Sequence, residues 1–173
     1  SDNSQGEGQG NKTTETPKPT ATPIADNSEL TMRDLTELLG KGEFFFEYTG
    51  VETTMLYQGS GDLFAAAGEG KQLVVLEFAV TNQSSTGATL VLNKGVSKEF
   101  VYTLRVAGRT IRPSLTLLNE DFYTSYEATY APGETKTCVL VFECNKDIAL
   151  DNAVLSVLRD VEGNEDSVLI KVK

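Results

Sequence analysis

Residues 72–82, QLVVLEFAVTN, form the most regular strand pattern in the chain. Alternate side chains of a β-strand point to opposite faces of the sheet. One face of this strand carries Val74, Leu76, Phe78 and Val80, and the other carries Leu73, Val75 and Ala79. Because both faces are largely apolar, we predict that this is a central strand.

Further segments with strand periodicity lie on both sides of this strand, and turn-forming residues separate them. Two such turns are Asn82–Gly87 and Ala131–Glu134, and we interpret residues 63–70 as a connection built from small residues. About eight short strands with almost no helix are typical of an antiparallel sandwich or barrel. The sequence therefore predicts an all-β, immunoglobulin-like antiparallel β-sandwich.

One short N-terminal helix is predicted at about residues 31–39. Thr31 and Asp34 have the spacing of a capping box, and the segment carries apolar residues at helical spacing, namely Met32, Leu35, Leu38 and Leu39. We expect the helix to lie across an open end of the sandwich. It would also cover the adjacent Phe44–Phe46, for which an interface or an exposed edge strand is the alternative.

The composition of the chain changes near residue 29. Residues 1–29 contain no aromatic residue and a single large aliphatic residue, Ile24, so they cannot bury enough apolar surface to fold. We therefore predict a disordered tether over residues 1–29 and one β-sandwich domain over residues 30–173. A flexible leader on a chain that opens on Ser1 rather than Met is typical of an exported bacterial protein. It predicts an extracellular, cell-surface-anchored protein with a lipid-bearing Cys just before Ser1.

The net charge of the chain is −10, with no run of lysine or arginine. Phosphate backbones and anionic lipids are bound chiefly through cationic groups. We therefore expect no nucleic-acid partner, and contact with a membrane only through the inferred N-terminal lipid anchor. The expected state is a monomer or a weak dimer.

Cys138 and Cys144 lie in a single apolar run. If that run is a strand, the two residues are roughly 20 Å apart, which is too far for a disulfide. Both have the parity of Leu140 and Phe142, so we expect two buried thiols. A disulfide would require the strand to end early and fold back.

The sequence contains no histidine. This excludes a Ser-His-Asp or Cys-His catalytic arrangement and a histidine-ligated metal site. Two cysteines on one strand are too few for a structural zinc site, and no phosphate-binding glycine motif is present. We therefore predict a protein that is not an enzyme and has no cofactor.

An aromatic cluster supplies the candidate binding residues, which are Tyr123, Tyr126 and Tyr130. Tyrosine offers broad amphipathic contact area, and loops on a rigid sandwich often carry function. The alternative is that some of these rings, with Phe122, plug the edge of the sandwich.

A second candidate site contains Asp160, Glu162, Asn164 and Asp166, whose oxygen atoms could bind a hard cation such as Ca²⁺. The position of Gly163 does not match an EF-hand loop, and the flanking segments are strands. The alternative is a hairpin tip of solvated charges.

Two segments resemble a known family. Residues 70–82 combine Gly70, a long apolar strand and a terminal Thr-Asn pair, and residues 131–143 combine a Pro-Gly-Glu turn with the strand that follows it. Both are similar to the pattern of exported Gram-positive cell-envelope lipoproteins with an immunoglobulin-like domain of unknown function, related to the fold of mycobacterial secreted immunogenic proteins. The resemblance spans residues 43–173 and implies a surface-attached module without assigned catalytic residues. Cys138 and Cys144 depart from the family pattern, which leaves a redox role open.

These observations together predict a non-catalytic extracellular binding or assembly module, displayed on the bacterial cell envelope as a lipoprotein. Its partner would be a protein or another envelope ligand. The alternative is a β-sandwich that binds a small ligand or carbohydrate with the assistance of calcium.

Overall fold

A computed structural model describes residues 32–59, 64–93, 99–111, 113–115, 126–161 and 164–173. It contains one helix, α1 (Met32–Gly40), at the place where the sequence predicts a helix. The strands are β1 (Phe44–Thr54), β2 (Leu56–Gln58), β3 (Phe64–Ala66), β4 (Lys71–Asn82), β5 (Ala88–Leu92), β6 (Phe100–Val106), β7 (Arg109–Ile111), β8 (Pro113–Leu115), β9 (Tyr126–Tyr130), β10 (Thr135–Asn145), β11 (Val154–Val161) and β12 (Asn164–Lys171).

Two four-stranded antiparallel sheets form the body of the protein. The first sheet has the strand order β1-β4-β10-β8, and the second sheet has the order β12-β11-β6-β7. Two further antiparallel pairs, β2-β3 and β5-β9, lie beside them. One apolar core contains residues from both sheets, which confirms the predicted antiparallel β-sandwich.

The central strand of the first sheet is β4, as its apolar pattern predicts. It pairs with β1 on one side and with β10 on the other, so that Leu76 lies between Val51 and Leu140. The residues with the parity of Leu76 are buried in the core between the sheets, and they are Val74, Leu76, Phe78 and Val80. Burial of each such side chain stabilises the fold by roughly 1.5–3 kcal/mol.

Helix α1 packs against the edge strands β1 and β12. It buries Leu35, Leu38 and Leu39, as its leucine spacing predicts. The Thr36 hydroxyl accepts a hydrogen bond of 3.0 Å from the backbone N–H of Phe46, which occupies a donor on the free edge of β1. The helix therefore covers both the core and part of a sheet edge.

Two turns support the ends of β4 and β10. The backbone N–H of Ser84 donates to the Asn82 Oδ1 at 3.0 Å, which is a local side-chain turn at the start of the predicted Asn82–Gly87 turn. The backbone N–H of Glu134 donates to the Ala131 carbonyl at 3.1 Å, and Gly133 has a φ of 72°. This geometry is that of a type II turn, in which glycine is favoured because the third position needs a positive φ.

The Asn82 side chain connects these two turns. Its Nδ2 donates to the carbonyl oxygens of Thr86 at 2.9 Å and Ala131 at 3.2 Å, and the residue is fully buried. A buried amide without partners would cost about 1–3 kcal/mol, so these hydrogen bonds fix the relative positions of the two turns.

Cys138 and Cys144 are both free and buried, and both lie on the core face of β10. The expectation of two buried thiols on one strand is therefore confirmed.

Candidate functional site

Strand β9 holds two of the three tyrosines that the sequence predicts as binding residues. Its buried and exposed residues alternate, so that Tyr126, Ala128 and Tyr130 face the core. Tyr126 is 1% exposed and Tyr130 is 0% exposed. The prediction of a recognition surface is wrong for these two rings, because strand alternation turns both of them inward. Tyr123 lies outside the described residues.

The two tyrosines form a buried polar cluster with a cysteine. The hydroxyl groups of Tyr126 and Tyr130 are 2.6 Å apart, and the Cys138 sulfur lies 3.7 Å from the first and 3.8 Å from the second. Phe44 packs edge-to-face against the ring of Tyr130, with 5.1 Å between the ring centroids. The hydroxyl groups thus satisfy each other inside an otherwise apolar core.

Burial raises the pKa of Tyr126, Tyr130 and Cys138 above their ordinary values. The thiolate is the reactive form of a cysteine, so a raised pKa makes Cys138 inert at neutral pH. The cluster is therefore a structural element of the core.

The β11-β12 hairpin contains the predicted calcium ligands, of which Glu162 lies outside the described residues. The strand register pairs Asp160 with Glu165, and Asp166 with Arg159. Neighbouring register positions alternate between the faces of a sheet, so Asp160 and Asp166 occupy positions on opposite faces. Within the described part of the chain, no group of three His, Cys, Asp or Glu residues could hold a metal ion. The calcium hypothesis stays a prediction.

The β2-β3 pair folds over the outer face of the first sheet, on the side away from the sandwich core. That face presents Leu73 and Val75 of β4 and Val139 and Val141 of β10, all of them buried. Ala65 of β3 is buried with them, and Tyr57 of β2 packs against the same cluster. The first sheet therefore has apolar layers on both faces.

One hydrogen bond closes the end of this pair, and a second attaches it to β10. The backbone N–H of Ala67 donates to the Met55 carbonyl at 2.8 Å, and the backbone N–H of Gly68 donates to the Glu143 carboxylate at 3.1 Å. Residues 64–66 lie within the segment that the sequence analysis interprets as a connection. The apolar outer faces of β4 and β10 are the signal that could have predicted a cover there.

Three large apolar side chains on the β2-β3 pair and next to it are exposed to solvent. Met55 is 48% exposed, Leu56 55% and Phe64 61%. We call these three residues the hairpin face. Phe64 pairs with Gln58, and Leu56 pairs with Ala66, so the side chains of these pairs lie on the side opposite to the buried Ala65 and the partly buried Tyr57. Exposed apolar groups in one place are typical of an interaction surface.

A groove of about 200 Å³ lies between β1 and β2 on the same outer face. We call it the acidic groove, and its lining consists of Thr49, Gly50, Val51, Glu52, Tyr57, Val75 and Glu77. The strand pairing of β1 with β4 shifts register between Tyr48 and Gly50. This β-bulge turns Thr49 toward β4, where its hydroxyl lies 3.1 Å from the Glu77 carbonyl oxygen and 3.2 Å from Glu77 Oε1.

The electrostatic potential in the acidic groove is negative. Burial raises the pKa of Tyr57, and the nearby carboxylates of Glu77 and Glu52 raise it further because they disfavour a second negative charge. The groove therefore favours a cation over an anion.

A smaller cavity of about 20 Å³ lies under α1. It is lined by side chains that include Leu35, Phe78, Tyr102 and Cys138. This volume accommodates about one water molecule, so the cavity is too small for an organic ligand.

No family model matches the chain, and no curated protein matches it. Among solved structures, the chain is similar to an uncharacterized β-sandwich protein of Clostridium difficile 630, with 13% identity over 75% of this chain and 86% of that one, and a TM-score of 0.46. It is also similar to the yjhA protein of Bacillus subtilis, with 13% identity over 76% of this chain and 92% of that one, and a TM-score of 0.42. A third similarity is to ycdA of Bacillus subtilis, a candidate lipoprotein, with 12% identity over 75% of this chain and 36% of that one, and a TM-score of 0.39.

In the described ranges, no helix has both the length and the apolar character that crossing a bilayer requires.

Proposed function

We propose that this protein is a non-catalytic binding or assembly module, displayed outside a bacterial cell envelope on an N-terminal tether. The hairpin face is the surface with which it binds a protein partner. The observation that carries this proposal is the exposure of Leu56 and Phe64 on the β2-β3 pair, together with that of Met55 directly before β2. Of the large apolar side chains in the described residues, only Val91 is also exposed, and it lies on β5.

The hairpin face is held on a rigid support, which favours binding. Tyr57 and Ala65 pack on the buried outer layer of the first sheet, and the Glu143 carboxylate holds Gly68 at the end of the hairpin. A surface that is fixed before binding loses little conformational entropy when a partner docks. The same support keeps Phe64 directed to solvent in the free protein.

The size of the acidic groove favours a protein partner over a free small ligand. Pockets for drug-sized ligands have volumes of roughly 300–1,000 Å³. The acidic groove has about 200 Å³, which suits a single side chain of a larger partner.

The absence of histidine supports a module without catalysis, since it removes the commonest acid–base group at neutral pH. The composition of residues 1–29 supports display on a tether. The resemblance to exported cell-envelope lipoproteins supports a lipid anchor upstream of Ser1.

Capture from an envelope extract tests the binding proposal. We expect the immobilised protein to retain a partner that the Phe64→Ser variant loses, because serine removes the largest and most exposed apolar side chain of the hairpin face. The Val91→Ser variant is the matched control, since it removes an exposed apolar side chain from β5, and it should retain the partner. Equal capture by all three proteins would contradict the proposal.

Detergent phase partition of the natural protein from its own cells tests the display proposal. A lipid-anchored form enters the detergent phase and is degraded when protease is added to intact cells. Recovery of the protein in the aqueous cytoplasmic fraction would contradict display on the envelope.

A further inference from the structure

The hairpin face has a strongly acidic surface beside it. Glu47, Glu52 and Glu77 are exposed, and all three lie on the outer face of the first sheet. The strand register places Glu52 beside Val75, and Glu47 beside Ala79. Glu52 and Glu77 line the acidic groove together with Tyr57, whose strand β2 also carries Leu56 of the hairpin face. The acidic groove and the hairpin face therefore adjoin at β2.

No cationic side chain among the described residues forms an ion pair with these three carboxylates. The ion pairs between described residues join Lys136 to Glu134 and Arg159 to Glu99. Within the described part of the chain, no ion pair involves Glu47, Glu52 or Glu77. A partner that brings cations to this surface gains a Coulomb attraction for which no described ion pair competes.

The charge of this surface disfavours two other occupants. A second copy that docks by two-fold symmetry would place the same acidic groups of both copies near each other. An anionic lipid surface would also be repelled by them. Each of these occupants would cover the apolar side chains, but it would also bring negative charge close to Glu47, Glu52 and Glu77.

We propose that the hairpin face and the acidic groove dock a protein segment that carries both apolar side chains and lysine or arginine. This inference rests on the proposed function and names the chemistry of the partner. The apolar side chains of the segment cover Met55, Leu56 and Phe64. A cationic side chain enters the acidic groove, with its aliphatic part against the ring of Tyr57 and its charge near Glu52 and Glu77.

Binding of defined peptides to the full chain tests this chemistry. The probe is a short fluorescent peptide of alternating lysine and leucine, and its affinity is measured by anisotropy at low and at moderate salt. The comparison peptides alternate glutamate with leucine, and lysine with serine. We expect the lysine–leucine peptide to bind at least about tenfold more tightly than either comparison peptide, because only it satisfies both surfaces.

Surface variants connect the binding to these residues. Phe64→Ser should weaken the lysine–leucine peptide about tenfold. The double variant Glu52→Gln, Glu77→Gln should weaken it about fivefold at low salt and reduce the salt dependence. The matched controls Val91→Ser and Asp151→Asn change an exposed apolar residue and an exposed acid elsewhere, and they should bind as the parent does. All these positions are exposed, so an unchanged circular-dichroism spectrum confirms that each variant is folded.

Several outcomes would overturn the inference. Equal or tighter binding of the glutamate–leucine peptide would show that the partner is not cationic. A dimer in sedimentation velocity that Phe64→Ser abolishes would assign the surface to a second copy. Binding to phosphatidylglycerol vesicles that Phe64→Ser abolishes would assign it to a membrane.

The same experiment separates this inference from the proposed function. If the glutamate–leucine peptide binds and Phe64→Ser weakens it, the hairpin face is a binding surface but the charge of the partner is wrong. If Phe64→Ser changes the binding of no peptide, both proposals fail.

Discussion

The buried tyrosine cluster gives a test in which one chemical change has opposite effects at two positions of the same core. Replacement of tyrosine by phenylalanine removes only a hydroxyl group. In Tyr126→Phe the hydroxyl of Tyr130 loses a partner at 2.6 Å and retains the Cys138 sulfur at 3.8 Å. Sulfur is a weak hydrogen-bond partner, so the Tyr130 hydroxyl would be left nearly unsatisfied. We expect the free energy of unfolding to fall by about 1–3 kcal/mol.

The hydroxyl of Tyr102 is also buried, but no hydrogen-bond partner for it lies among the described residues. In Tyr102→Phe the protein therefore loses a group whose burial costs free energy. We expect the free energy of unfolding to stay the same or to rise by up to about 1 kcal/mol. The double variant Tyr126→Phe, Tyr130→Phe removes both members of the pair. Its loss of unfolding free energy should be smaller than the sum of the losses in the two single variants, because the cluster then contains no hydroxyl without a partner.

Urea denaturation followed by circular dichroism measures these differences. In a thermal scan, each 1 kcal/mol corresponds to a shift of roughly 2–4 °C for a domain of this size. A loss above about 1 kcal/mol in Tyr102→Phe, or no loss in Tyr126→Phe, would refute the hydrogen-bond assignment.

Three further predictions concern the outer apolar layer, alkaline pH and calcium. Val141→Ala should lower the free energy of unfolding by about 2–3 kcal/mol because this residue is fully buried beneath the hairpin, whereas the exposed Val91→Ala should change it by less than about 0.5 kcal/mol; equal urea midpoints would contradict the hairpin cover. Burial raises the pKa of Tyr48 to about 12 and that of Cys138 above its ordinary value. These two groups therefore stay protonated to a higher pH in the folded state than in the unfolded state. Stability from these groups is complete below the ordinary thiol pKa of about 8.5 and should be lost as the pH rises toward 12, which a pH series of urea midpoints would detect and a flat series would exclude. Millimolar calcium should not shift the thermal midpoint, because Asp160 and Asp166 occupy register positions on opposite faces; a shift that Asp166→Ala abolishes would favour the small-ligand alternative.

The fold could be predicted from the sequence wherever a local pattern has one physical interpretation. The alternation in residues 72–82 predicts the central strand β4, and the leucine spacing before Gly40 predicts α1. Pro132-Gly133 predicts the turn before β10, because few other residue pairs fit its backbone. Both cysteines have the parity of the core on β10, and this placed them correctly as buried thiols.

The candidate site could not be predicted in the same way, because exposure depends on contacts between distant segments. Tyrosine occurs both on solvent-exposed surfaces and in cores where its hydroxyl group has a hydrogen-bond partner. The hydroxyl groups of Tyr126 and Tyr130 form a hydrogen bond with each other inside the core, and this pairing cannot be deduced from composition. The alternation of Tyr126, Ala128 and Tyr130 is a signal that the prediction did not use, and it places both rings on one face of a strand.

The hairpin face was missed because β2 and β3 have only three residues each, and the segment that contains β3 is rich in small residues. Small residues between two strands are typical of a connection, and residues 63–70 were therefore expected to be one. Ala65 is buried because its side chain packs on the outer face of the first sheet, while its neighbour Phe64 points to solvent and is exposed. That arrangement follows from the apolar outer faces of β4 and β10, which need a cover.

The proposed binding surface requires the orientation of the β2-β3 hairpin described above, and hydroxyl-radical footprinting of the free protein measures this orientation. The measurement compares residues of the same type, so intrinsic reactivity cancels. We predict that Phe64 is oxidised much faster than the buried Phe78, and that Leu56 is oxidised much faster than Leu73, which lies beneath the hairpin. A shift of the hairpin by one residue would exchange its two faces. Protection of Phe64 to the level of Phe78, or oxidation of Leu73 as fast as Leu56, would contradict this orientation and the binding surface that depends on it.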